Sequence, residues 1–239
     1  MKRSILSSFS DLTKGERVLY ALSLIGVVLS YLIPRLCALP ADPISTIASL
    51  IGVTALIFVA KGYLLGQLLT LIFAVFYGAV SLSQQYYGEM ITYLGITAPM
   101  AVLALVSWMK HPYRNSKEVT VARLSGKKLA IVIILSIVVT VAFYFILAAL
   151  QTASLLVSTI SVTTSFFAAS LTFLRSPYYA LAYAANDVVL ILLWSIASLS
   201  DPSYLPMLVC FFLFLANDLY GYVNWKRMQS RQSDSFPGK

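Results

Sequence analysis

The stretch FLANDLYGYVNWKRM, Phe214 to Met228, sets Asn217, Asp218, Tyr220, Asn224 and Trp225 in a run otherwise apolar enough for lipid. One apolar run earlier, NDVVLILLW opens on Asn186 and Asp187 and closes on Trp194. A carboxylate in mid-membrane costs about 2.5–3.5 kcal/mol on insertion scales, so each acid must face a cavity or a partner. On helical spacing Asp187 shares a face with Tyr183 and Trp194, and Asp218 shares one with Gly221, Tyr222 and Trp225. Two chemistries fit. The groups are interhelical glue, each bond worth about 0.6–2 kcal/mol, or they line a pocket. In a pocket the aromatic faces stack a flat ring, the amides and acids bond hydroxyl or amide edges, and a cationic ring gains from both. A single Asn would favour glue; two Asn-Asp pairs flanked by Tyr and Trp favour the pocket. Asn186, Asp187, Asn217, Tyr183 and Trp194 are then substrate-binding candidates. Asp218, Tyr220, Asn224 and Trp225 are candidates for either a gate or the substrate site.

The earlier half of the chain offers fewer such groups. Gln67 and Thr70, three residues apart, can address one cavity, with Tyr77, Tyr93 and Thr97 further along and Pro99 expected to kink its helix. The Ser/Thr run from Ser158 to Ser165 reads as hydroxyls bonded to their own helix backbone. Nothing points to catalysis: there is no HExxH, GxSxG or Walker pattern, and the single histidine, His111, sits in a polar loop. Cys37 and Cys210 lie in or beside different apolar runs without metal-ligand spacing, so neither a disulfide, a metal nor a cofactor is expected.

These residues ride on a chain that is 59% apolar and 11% charged, with a mean hydropathy of +0.85. A soluble domain carries roughly 25% charged residues, so most of this surface faces lipid. Apolar runs and breakers predict eight transmembrane helices near 18–38, 44–60, 63–82, 90–108, 129–149, 153–173, 178–199 and 204–226. Eight crossings put both termini on one side with Lys2, Arg3, Lys14, Arg17, Lys61, Arg175, the tail cations and six basic residues between Lys110 and Lys128. Arg35 is the sole Lys or Arg placed opposite, with Asp42, Glu89 and Asp201. The positive-inside rule then makes both termini cytoplasmic in a multi-pass plasma (inner) membrane protein. The formal +8 is topological and faces anionic headgroups, which argues against a nucleic-acid partner.

Shifting the chain by 117 residues brings Tyr77 onto Trp194, Tyr87 onto Tyr204 and Trp108 onto Trp225. The expected organisation is an amino-terminal segment with an extra helix (1–43), a three-helix bundle (44–108), a basic loop with a linker helix (109–152), a second parallel three-helix bundle (153–226) and a disordered tail (227–239). A substrate site between such bundles lies near the midplane.

NDLYGYVNWKRM at the carboxyl end, with NDVVLILLW one helix before it, resembles the PnuC family of vitamin transporters, many of which end in an N/D-x-Y-G-x-x-x-W-like signature before basic residues. SWMKHPYRNSKEVTVARL is similar to that family's central connection, and the resemblance spans roughly residues 44–228. It implies a full-length SWEET-like fold, a homotrimer, and facilitated, uncoupled uptake of nicotinamide riboside. Trapping would follow by cytosolic phosphorylation; relatives carry thiamine, riboflavin or deoxynucleosides. The nicotinamide riboside branch shows W-x-x-W-x-x-x-N in the penultimate helix. Here Tyr179 and Ala182 stand where the tryptophans would precede Asn186. Tyr179 can still stack a ring and Ala182 cannot. The different classes of function weighed against transport are an integral membrane enzyme and a scaffold.

Overall fold

The computed structural model describes residues 5–38, 43–83, 86–152 and 154–234; Lys2, Arg3, Asp42 and Lys239 lie outside them. A short helix α1 (Ile5–Ser10) precedes α2 (Lys14–Leu36), α3 (Pro43–Ala60) and α4 (Leu64–Ser83). The next span is interrupted: α5 (Tyr87–Thr92), a π turn (Tyr93–Thr97) and α6 (Ala98–Lys110). Then follow α7 (Gly126–Ala149), α8 (Leu155–Phe173), α9 (Tyr179–Ser200) and α10 (Leu205–Asp234). Eight helical spans are long and apolar enough to cross a membrane, as expected, and no strand forms among the described residues.

Local chemistry sets the boundaries. Thr13 and Glu16 form a reciprocal capping box at the start of α2, Thr13 N–H donating to Glu16 Oε2 at 2.7 Å. Ser125 caps α7 through Lys128 N–H. Pro99 has no N–H to donate, and the π turn ends just before it, with Ala98 N–H bonded to Tyr93 O. That widened turn, not a simple kink, accommodates the proline.

The α3–α4 and α8–α9 hairpins close in the same way. Gly62 (φ +67°) and Arg175 (φ +57°) take the left-handed conformation. Tyr63 N–H bonds Phe58 O, and Ser176 N–H bonds Leu171 O. Glycine meets that demand freely, whereas an arginine in it carries a strain of about 1 kcal/mol.

α3, α4 and α5–α6 form one bundle and α8, α9 and α10 the other. They meet where α3 packs on α10 and α6 on α8, first helix to third in both directions. α7 packs on α8, and α2 packs on α3 and α10. α7 exposes Ile131, Ile134, Val138, Val141 and Phe145, side chains suited to lipid.

Two expectations are corrected. Glu89 is not a loop charge but sits in α5, 1% exposed. Helix α10 runs on to Asp234, well past the expected end at 226. It is held there: Gln232 accepts from Val121 N–H (2.8 Å) and donates to Val119 O (3.1 Å), and Arg231 pairs with Glu118.

Candidate functional site

One chamber lies between the bundles. Gly52, Ala55, Leu56 and Val59 of α3, Gln67, Thr70 and Phe73 of α4, and Tyr93 and Thr97 of the π turn line one side. Ser165 and Thr172 of α8, Tyr183, Asn186 and Asp187 of α9, and Phe214 and Asp218 of α10 line the other. The gaps between these side chains total about 620 Å³, but the part wide enough for the centre of a water molecule is about 50 Å³. At roughly 10–15 Å³ per water, that admits a few waters and no vitamin-sized solute.

Of the candidates read from the sequence, Gln67, Thr70, Tyr183, Asn186, Asp187 and Asp218 converge here. Asn186 Oδ1 accepts from Thr164 Oγ1 (2.8 Å) and Ser165 Oγ (3.0 Å), which leaves its NH₂ group as what it offers the chamber. Asp187 and Asp218, from neighbouring helices, are in hydrogen-bond contact. A carboxylate can only accept, so such a contact requires that at least one of the two groups be protonated. Asp187 Oδ2 remains buried without a partner.

The other candidates lie elsewhere. Asn217 turns to α2, its amide donating to Ser23 Oγ at 3.1 Å and to Leu213 O at 2.8 Å. Tyr220 donates to Glu16 Oε1 (2.8 Å), and the same carboxylate pairs with Lys61 at 2.8 Å, tying α2, α3 and α10 together. Trp194 lies two turns beyond Asp187, donating to Tyr77 OH at 2.9 Å. Its ring packs on Tyr86 and Tyr204 with centroids 5.2 and 5.5 Å away, and Tyr77 packs on Tyr93 at 4.1 Å. This cluster adjoins the chamber through Tyr93, which lines it.

The other end lies toward the face that carries Lys61, the 110–128 loop and Arg175, here called the basic face. Tyr179, Trp108 and Trp225 pack together there, with centroids 4.8 Å (Tyr179–Trp225) and 5.4 Å (Trp108–Trp225) apart, and Tyr179 lies against Tyr183 of the chamber wall at 6.3 Å. Each tryptophan clasps the opposite bundle. Trp225 Nε1 donates to Val59 O (2.9 Å) and Trp108 Nε1 to Thr172 O (3.0 Å), each the penultimate residue of its helix. The residue before each tryptophan binds the last carbonyl: Asn224 to Ala60 O (2.8 Å) and Ser107 to Phe173 O (3.0 Å). These carbonyls lie in the last turn of each helix, and Val59 O and Thr172 O also accept from Gly62 N–H and Arg175 N–H of the hairpin turns. Two of the three aromatic pairs at the 117-residue offset, Tyr77 with Trp194 and Trp108 with Trp225, are thus contacting pairs across a pseudo-twofold, while Tyr204 packs on Tyr86 rather than on Tyr87.

Above the clasps the loop after α6 crosses both hairpin turns. Val119 N–H bonds Gly62 O and Ala122 N–H bonds Arg175 O, both at 2.9 Å. Lys117 pairs with Asp11 (2.6 Å), and this holds the Asp11 carboxyl below its ordinary value near 3.8.

Several chamber residues carry no signal in the sequence. Gly52 is one: a Cβ there would lie 2.4 Å from Phe214 Cζ, so only glycine lets that ring reach the chamber wall. Phe73, Phe214 and Thr172 read as ordinary core residues until the helices are packed.

An all-helical, eight-span fold with a polar chamber between paired bundles defines a membrane transport protein. A model of the nicotinamide mononucleotide transporter family matches residues 42–227, and the chain belongs to that family. Among curated proteins it is 27% identical over 199 residues to the nicotinamide riboside transporter PnuC of Neisseria mucosa, covering 81% of this chain and 76% of that one. It is 26% identical over 195 residues to the protein of the same name from Haemophilus influenzae, covering 80% and 83%. Among solved structures, that of the vitamin B3 transporter PnuC superposes with a TM-score of 0.77 at 25% identity, covering 92% of this chain and 94% of that one. The curated relatives are named as transporters, not enzymes.

Proposed function

We propose that this chain facilitates uptake of a ring-bearing vitamin precursor or nucleoside, with nicotinamide riboside, the solute its relatives are named for, as the leading substrate. The observation that carries the reading is the chamber itself: both bundles contribute polar groups to it, and one aromatic cluster adjoins it through Tyr93 and another through Tyr183. In the proposed cycle the bundles rock about this site, one aromatic cluster parting while the other stays shut. Tyr183 stacks the ring, while Gln67, Thr70, Asn186, Asp187 and Asp218 bond its polar edges. Trp194 with Tyr77, and Trp225 with Tyr179, serve as gates. Asn217, Tyr220 and Asn224 hold α10 against α2 and α3. The basic loops face the cytoplasm, with both termini. Cytosolic phosphorylation traps the solute, no ion is coupled, and the bundles follow the SWEET-like plan in a homotrimer.

With Ala182 and Tyr179 in place of the two tryptophans, thiamine, riboflavin and deoxynucleosides are the alternative solutes. Uptake of radiolabelled nicotinamide riboside into liposomes, with and without proton and sodium gradients, tests the scheme. Equilibration at the same rate in all cases is expected; accumulation above the outside concentration, driven by a gradient, would overturn it.

A further inference from the structure

We propose that the chain carries a phospholipid site on its outer surface. A cleft on the basic face takes an anionic headgroup, and an apolar groove below it, between α7 and α9, takes an acyl chain. The site stands apart from the chamber and does not depend on what the chamber carries. The polar end of α10 has two faces. Arg231 and Gln232 are engaged by the 118–121 segment. Lys226 and the residues three, four and seven positions on, Gln229, Ser230 and Ser233, line instead an open cleft of about 520 Å³ with Arg123 and Tyr178. Lys226 Nζ lies over the Tyr178 ring, 5.4 Å from its centroid, and donates to Gln229 Oε1 at 3.2 Å. Neither Lys226 nor Arg123 has an ion pair among the described residues, and neither do Lys127 and Lys128 in the first turn of α7. Asp234, the last residue of α10, is the one acid on the cleft wall, so cations outnumber acids there.

The level of the cleft separates a lipid from a dissolved anion. α7 leaves the basic loop at Gly126 and turns Ile131 and Ile134 outward, so Lys127, Lys128 and Tyr178 stand where a bilayer places basic and aromatic side chains. α7 packs along α8 and leaves a gap to α9, a groove of about 330 Å³. Ala182, one turn on from Tyr178, and Ala185 form its α9 wall; Ile133 and Ile137 form its α7 wall. Ser136, Thr163 and Thr164 also line it, but their hydroxyls donate to Val132 O (2.8 Å), Thr159 O (2.9 Å) and Ile160 O (2.9 Å), which leaves their carbon atoms to the groove. An apolar slot one turn beneath unmatched cations has the chemistry of a lipid with a phosphate head. Such a lipid lies against the back of α9, the helix whose Tyr183, Asn186 and Asp187 line the chamber.

Native mass spectrometry of the purified full chain tests this by counting bound lipid. The probes are phosphatidylglycerol, phosphatidylcholine with the same acyl chains, and glycerol 3-phosphate, a headgroup without chains. Each cation near a headgroup strengthens binding about fivefold. Wild type should therefore favour phosphatidylglycerol by about tenfold or more, and Arg123→Gln and Lys226→Gln should each weaken that lipid about fivefold. R123Q/K226Q should bind the two lipids alike. Ala185→Leu, which fills the groove, should weaken both lipids about threefold or more.

Equal binding of the two lipids by wild type, or a preference that survives in R123Q/K226Q, overturns the headgroup cleft. Glycerol 3-phosphate binding as tightly as phosphatidylglycerol makes this a site for a dissolved phosphate and overturns the lipid assignment. Ala185→Leu protein that keeps its lipids, or loses oligomeric mass instead, overturns the acyl groove. Should that variant not fold, the comparison of phosphatidylglycerol with its chain-free headgroup decides alone.

Discussion

Gly52 illustrates what a single missing side chain does here. Its absent Cβ makes room for the Phe214 ring, which forms part of the chamber wall. Gly52→Ala should push that ring into the space a solute needs. We expect a destabilisation of about 1–3 kcal/mol, read as a lower unfolding temperature, together with weaker solute binding. An alanine variant that binds as wild type would show that Phe214 has somewhere else to go. Asp11 makes a prediction of different sign and place. Its pairing with Lys117 lowers its pKa, so its contribution is present above its ordinary value near 3.8 and is lost as the pH falls through the lower folded value. Unfolding temperature followed into acid should show this limb, and Asp11→Asn should remove it. The acids also mark how far the sequence could be read. Asp187 and Asp218 stood out because they interrupt apolar helices. Glu89 sits so near a helix start that spacing alone made it a loop charge; only the packing of α5 against α8 buries it.

At the scale of the helix, the paired tryptophans matter most. Trp108 and Trp225 make the same bond to the penultimate carbonyl of the other bundle's first helix. Trp108→Phe and Trp225→Phe should each remove one of the two hydrogen bonds to that carbonyl, leaving the turn N–H in place, at a cost of about 0.5–1.5 kcal/mol. The two losses should be alike in denaturation of the purified protein. Unequal losses, one within error of zero, would mean that the pseudo-symmetry is not matched in energy. The elements themselves are largely legible in the sequence: eight apolar runs become eight spans, and two of the three aromatic pairs at the 117-residue offset touch, Tyr77 with Trp194 and Trp108 with Trp225. Two boundaries were not visible. The π turn adds no apolar signature of its own. The last turns of α10 are polar and look like tail, because what holds them is Gln232 on the 119–121 backbone, a contact between distant parts of the chain. The six chamber candidates that converge do so on helix faces that periodicity defines. Asn217, Tyr220 and Asn224 belong to a neighbouring face of α10, and no periodicity tells which of two buried faces meets a cavity.

For the molecule as a whole, the two ends of the chamber are closed by different means. The end at Trp194 carries a buried aromatic cluster in which Trp194 Nε1 donates to Tyr77 OH across the bundles. The end at Trp225 is shut by side chains and then bridged by main chain, because the 111–124 segment bonds one hairpin turn through Val119 and the other through Ala122. Three residues of extended chain span about 10 Å. The two turns are therefore on a tether of fixed length. Parting them further at the basic face requires surrendering one of two peptide bonds' hydrogen-bond partners, whereas parting the other end surrenders the side-chain bond from Trp194 to Tyr77 and no main-chain bridge among the described residues. Amide exchange should thus report the working of the machine directly: the Val119 and Ala122 protons would swap with deuterium at the frequency with which the basic side gapes, and a solute that speeds turnover would speed that swap.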